Sequence, residues 1–230
     1  MGKVSRNGFW LIMLCSSLFF MVVFQPVSAD NNDPNDPNNP KDPSELSDAD
    51  NNDPNDPNNP KDPGELLRKK WEDVVAILQN KDIDQEVKEN KINKIVTPIF
   101  EFPLMAKLSL GRKHWPKLNE QQREKFTRLF SERLKRSYWN KIALYKDETL
   151  LFKPTEKKKS TYYIPTELIY KDKKVAILYK LRKVEKSWKI YDVEIQGVSV
   201  LLTYRSQFDE ILSHGTVKEL LSRLEKPPDD

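Results

Sequence analysis

The chain has 230 residues, with 39 lysines and arginines against 35 acidic side chains, and only 37% of it is apolar. A single cysteine, Cys15, and two histidines exclude a disulfide framework and leave the body of the chain without a thiolate metal site or a cysteine nucleophile. Charge is unevenly placed: residues 30–63 carry a net of −8, whereas residues 64–230 carry 35 basic and 25 acidic groups, a net of +10.

The first 29 residues read as an export signal, with Lys3 and Arg6 ahead of an apolar run from Phe9 to Phe24 and Val27-Ser28-Ala29 as a small-residue cleavage site before Asp30. Sixteen apolar residues fall short of the roughly 20 that span a bilayer, and an uncleaved anchor is the alternative. Bulky Leu14 before Cys15 argues against a lipoprotein site. Residues 30–63 are a different polymer. DNNDPNDPNNPKDPSEL from Asp30 recurs from Asp50 with one change, Ser44 against Gly64. So much Pro, Asn and Asp with so few apolar residues cannot bury a core, and the segment reads as a disordered, semi-stiff spacer. A repeated cation-binding motif is the competing reading, but it lacks the turn glycines and carboxylate spacing of calcium loops.

Residues 64–230 are long enough for one well-packed domain. Leu67, Trp71, Val74, Val75 and Leu78 recur at helical spacing, as do Ile92, Ile95, Val96 and Ile99. Asn119 with Gln122 forms a capping-box pattern, opening a helix with Phe126, Leu129, Phe130, Leu134, Tyr138 and Ile142 on one face. The period then changes to two. Leu150–Phe152, Tyr163–Ile169, Val175–Leu181 and Trp188–Ile195 are expected as four strands, joined by short polar links that favour an antiparallel meander. Ser199 can cap a helix to about Ser213, and Thr216 with Glu219 caps the last one. The expected fold is α+β, a twisted, mainly antiparallel four-stranded sheet covered by helices from both ends of the domain. The pattern leaves open whether sheet and helices touch throughout or enclose a cavity.

A basic domain suits anionic partners such as phospholipid headgroups, membrane surfaces or acidic protein faces. Nucleic acid fits the charge, but the export signal argues against it. His114 and His214 fall in a turn region and at a helix end, where surface or capping roles are the ordinary reading. Asp192 and Glu194, two apart on a strand, share one face. They suit either acid–base work or ion pairs with Lys180 or Arg182 on a solvent-exposed face. No phosphate loop, nucleophile elbow or metal-spaced cluster occurs, so neither an enzyme activity nor a cofactor is expected.

One stretch carries a specific pattern. WKIYDVEIQGVSVLLTYRSQF, from Trp188 to Phe208, resembles the closing motif of the MlaC, or toluene-tolerance, family of periplasmic phospholipid carriers. Glu101-Phe102, Met105-Ala106, Leu110-Gly111 and Trp115 resemble an earlier family segment, and the likeness covers roughly Leu67 to Leu224. Thr203, where the family commonly has Asn, and Pro116, where a basic residue is usual, depart from the pattern, as does the spacer.

The resemblance implies a monomeric carrier of two-chain phospholipid, the substrate-binding component of an inter-membrane ABC system that maintains outer-membrane lipid asymmetry. Its implied partners are an inner-membrane transporter complex and an outer-membrane lipoprotein; the alternatives are a non-lipid module that docks on a transporter, or an α+β pocket enzyme using Asp192 and Glu194. It also implies an apolar cavity between the sheet and the Phe126–Tyr138 helix. Phe102, Met105, Phe126, Phe130, Leu134, Tyr138, Ile177, Tyr179, Val193, Ile195 and Val198 are its candidate lining, each equally readable as plain core. Arg205 is the headgroup candidate, with a buried structural pair as its alternative.

Overall fold

The computed structural model describes residues 62–226 except 140, 141, 143, 144, 146, 147 and 172. The expected signal at 1–29 and the spacer up to residue 61 lie outside the described residues. The described residues begin two before the expected boundary at Gly64. Asp62 accepts from the Gly64 amide at 2.8 Å as an N-cap, and Pro63 is the first, fully buried residue of helix α1 (Pro63–Gln79). Aspartate at the cap and proline in the first turn suit a helix start, because the missing proline N–H would have had no partner there.

Helix α2 (Gln85–Val96) is capped by Asp84 and gives way at Pro98 to a single 3-10 turn, Thr97–Ile99. The chain then touches the sheet. Phe100 makes a lone parallel bridge to Ile190, and the Glu101 amide donates to the Ile190 carbonyl at 2.8 Å. Helix α3 (Phe102–His114) breaks at Gly111, whose φ of 61° and ψ of −173° belong to a region that only glycine enters freely. Helix α4 (Glu120–Leu134) opens on the expected Asn119/Gln122 capping box. It does not run straight on to Ile142. It passes into a π turn, Lys135–Trp139.

The sheet corrects the expected count of four strands. It has six, β1 (Thr149–Phe152), β2 (Glu156–Lys158), β3 (Thr161–Tyr170), β4 (Lys173–Val184), β5 (Ser187–Ile195) and β6 (Val198–Ser199), with all strand pairs antiparallel. The order is β1-β3-β4-β5-β6, and β2 shares β3's outer edge with β1. The two extra strands are only three and two residues long, so no alternating run announces them. β2 is Glu-Lys-Lys, and β6 exists because the Gln196-Gly197 turn, with φ of 51° and 80°, folds Val198 back onto Ile195. Helices α5 (Val200–His214) and α6 (Val217–Glu225) follow, capped by Ser199 and by a Thr216/Glu219 capping box.

Two apolar clusters form the core. The larger lies among the helices, around Ile92, Met105, Phe126, Phe130, Leu134, Tyr204, Phe208 and Leu220. The smaller lies under one end of the sheet, where Leu66 and Leu67 of α1 cover Ile164, Leu181, Trp188 and Ile190.

Asp192 ties the layers together. Only 4% exposed, it accepts from the Ser199 hydroxyl at 2.8 Å, from the Leu201 amide at 3.3 Å at the start of α5, and from the Val193 amide. Lys180 of β4 lies 3.2 Å away and also pairs with Glu194. The expectation of two exposed carboxylates holds for the partner, Lys180, but not for exposure. Burial pushes the Asp192 carboxyl upward against the pull of Lys180, Ser199 and Leu201. Burial also acts against the Lys180 ammonium, but its two carboxylates outweigh it and raise its pKa.

Two outcomes follow for stability, both measurable by thermal or denaturant unfolding. Asp192→Ala strips buried donors of their acceptor and should cost about 3 kcal/mol or more, with Asp192→Asn distinctly milder. Gly111→Ala should cost about 1–3 kcal/mol from backbone strain alone. A methyl at that position would also lie 2.9 Å from Arg205 Nε, so Gly111→Ala combined with Arg205→Ala should be less damaging than the two separate losses added together.

Candidate functional site

The sheet has one mostly apolar face, and its register defines rows across it. Ile164 pairs with Tyr179 and Tyr179 with Val193; Thr166 pairs with Ile177, Ile177 with Ile195, and Ile195 with Val198. At one end of this face burial is complete, with Ile164 and Leu181 at 0% exposure beneath Leu66 and Leu67. At the other end it is not. Val175, Ile177, Tyr179, Val193 and Ile195 are all half-buried, and Val198 is 46% exposed. Tyr179 sits where the sealed part ends, and burial alone pushes its phenol up to about 12.

The expected lining residues fall into two groups. Ile177, Tyr179, Val193, Ile195 and Val198 come together on this partly covered face. Phe126, Phe130, Leu134 and Met105 are fully buried in the helical core, against which Val193 and Ile195 pack from the sheet. Phe126 and Phe130 stack at 5.7 Å and set their edges against Phe208 and Tyr204 of α5, at 5.4 and 5.1 Å. Helix α4 packs on α3 and α6. The aromatic face of α4 therefore meets other helices, in a cluster that Val193 and Ile195 of the sheet also join. Its period is visible in the sequence, but periodicity does not name the surface that covers it.

Phe102 and Tyr138 are half-buried at the margin of this core. Phe102 stacks at 6.0 Å on Phe100, and Lys135 Nζ lies 5.4 Å from its ring centre. Phe100 was missed from the sequence. It lies between Pro98 and Pro103 with no helical period, yet it packs against both clusters and bridges to β5. Val193 likewise touches both clusters, which places it at the seam between helices and sheet.

The polar candidates have structural surroundings. Arg205 is half-buried, with its guanidinium lying over Gly111 at the break in α3. His114 is buried rather than on the surface, its Nε2 2.6 Å from Asp209, which also accepts from Lys113 at 2.7 Å. These contacts, Lys113 first, hold the Asp209 carboxyl below its usual value. Asp192 and Glu194 point to the face of the sheet opposite the apolar one, converging on Lys180. Among the described residues, no group of three or more His, Cys, Asp or Glu could hold a metal ion, and no helix is long and apolar enough to cross a membrane.

Comparison with known proteins agrees with this geometry. No curated protein sequence matches the chain. A solved structure of the phospholipid-binding protein from Ralstonia solanacearum, in complex with a phospholipid, shares the fold with a TM-score of 0.61 at 23% identity, over 69% of this chain and 92% of the other. The model of the MlaC protein family matches residues 68–226, from the first turns of α1 to just past α6. That match takes in the larger core cluster, the whole sheet and all of the smaller cluster except Leu66 and Leu67, and the chain belongs to the MlaC family.

Proposed function

We propose that this protein is a periplasmic phospholipid carrier, the substrate-binding component of an inter-membrane ABC lipid transport system. The observation that carries the reading is the sheet face on which Ile177, Tyr179, Val193 and Ile195 stay half-buried in a protein that seals Ile164 and Leu181 completely. Apolar surface left uncovered beside a closed core is the signature of a compartment awaiting an apolar ligand. Family membership and the phospholipid held by the Ralstonia neighbour support the same ligand class.

The energetics require enclosure. Two acyl chains with about thirty methylenes, at about 0.8 kcal/mol each, cost roughly 25 kcal/mol in gross terms when bared to water. A protein that moves such chains through an aqueous space must cover them almost fully. The site lies between the half-buried sheet face and the helices that meet it at Val193 and Phe100, and not against the buried ring cluster of α4. Lipid is exchanged with a transporter complex in the inner membrane and a lipoprotein in the outer one. The signal at 1–29 delivers the chain to the periplasm, and the spacer separates that signal from the domain. An enzyme built on Asp192 and Glu194 is disfavoured, because both carboxylates are engaged by Lys180 on the other face.

Detergent-free purification of the secreted protein followed by native mass spectrometry should show bound phospholipid. Protein that carries none, and extracts none from vesicles, would sink the carrier reading. Ile177→Trp or Val193→Trp should displace lipid at nearly unchanged melting temperature, whereas in a solid core the same change costs about 1–3 kcal/mol. Deleting residues 30–61, which leaves the Asp62-Pro63 cap in place, should alter neither lipid loading nor melting temperature. A drop of several degrees would mean that the spacer packs on the domain.

A further inference from the structure

The partly covered sheet face opens toward one identifiable edge. Along the row Thr166, Ile177, Ile195, Val198, exposure rises from 2% at Thr166 on β3 to 46% at Val198 on β6. Four residues beyond Val198, in the first turn of α5, Leu202 is 57% exposed. Among the described residues only three large apolar side chains are this exposed, and two of them are this pair.

Cations stand beside them. The β3–β4 turn and the β5–β6 turn lie at the same end of the sheet, held together by Gln196. Its amide donates to the Ala176 carbonyl at 2.8 Å and its side chain to the Lys174 carbonyl at 3.3 Å. Lys171, Lys173 and Lys174 are exposed at this end, Lys173 in phase with the apolar face and Lys174 on the opposite face beside Glu167, with Lys171 Nζ 5.2 Å from the Tyr170 ring centre. The carboxylate of Glu167 nearby is already paired with Lys153. Asp172 is the one acidic residue within the turn sequence.

We infer that this corner, with Val198 and Leu202 as its apolar tip and Lys171, Lys173 and Lys174 as its basic rim, docks on the surface of an anionic lipid leaflet. A protein partner fits less well. Protein interfaces favour arginine over lysine and bury far more than two isolated side chains offer. A lipid surface needs only a few lysines near the phosphates and a shallow apolar insertion. The inference extends the carrier reading, since docking would hold the open end of the apolar row at the leaflet in which those exchange partners sit.

The test is flotation of the full secreted chain with vesicles of phosphatidylcholine alone or mixed with phosphatidylglycerol, at low and high salt. Wild type should float with the anionic vesicles only. K171Q/K173Q/K174Q should weaken that binding roughly tenfold or more, and V198S/L202S should abolish the part that survives high salt. K157Q/K158Q/K159Q removes equal charge from the exposed hairpin at the opposite end of the sheet and should bind as wild type. If that variant loses as much as the first, binding follows net charge and the assignment of the corner is overturned. It is equally overturned if V198S/L202S behaves as wild type at both salts. Wild type that fails to float overturns it in favour of an acidic protein face. Lipid loading, read by native mass spectrometry on the same samples, separates the two ideas. Loaded protein that does not float refutes docking alone, and floating protein that never carries lipid refutes the carrier alone.

Discussion

A buried carboxylate sets the relation between the two layers of this protein. Asp192 belongs to a sheet strand, yet its oxygens are used by the cap and first amides of the following helix and by a lysine one strand over. Leaving that charge uncompensated would be costly, so strand, turn and helix are held in one arrangement. The two-residue turn at Gln196-Gly197 brings Ser199 back within reach of Asp192. Placing α5 in turn places Tyr204 and Phe208, the rings against which Phe126 and Phe130 close the helical core. A polar node outside the apolar face thus fixes the packing without occupying the space beneath the sheet.

Much of the fold was legible in the sequence because its signals are local. The Asn119/Gln122 and Thr216/Glu219 boxes and the Ser199 cap each put a side chain within reach of an amide two or three residues on, and all three form as read. The four expected strands announced themselves by alternation. What escaped was non-local. β6 exists only as the partner of Ile195, and Phe100 matters only because it meets Ile190 from a distant part of the chain. The apolar face of α4 is legible, but not that Tyr204 and Phe208 of α5 would pack on it. A helical period tells which side is buried and says nothing of what buries it.

The candidate site shows the same division. Alternation placed Ile177, Tyr179, Val193 and Ile195 on one face correctly, since a strand's period of two leaves no choice. It could not separate them from Ile164 and Leu181, which obey the same alternation and are sealed. The difference arises from where Leu66 and Leu67 land, and that depends on the path of α1 over the sheet. Arg205 illustrates the limit for charged groups. Its neighbour Gly111 lies far back in the chain, and only the fold reveals that a glycine was needed there to accommodate it.

The cap at Asp62-Pro63 has a consequence for how the gene can change. Each copy of the twenty-residue repeat ends in the same Asp-Pro-x-Glu-Leu, so the end of the second copy is also the first turn of the domain. Unequal crossing-over between the copies could add or remove a unit while always delivering a cap to the junction. The two copies are not equivalent at that junction, however. A side chain at Gly64 would begin 2.6 Å from Thr155 Oγ1, so the Ser44 version could start the helix only by turning that hydroxyl aside. The end of the last unit therefore fits the domain best with glycine in that place.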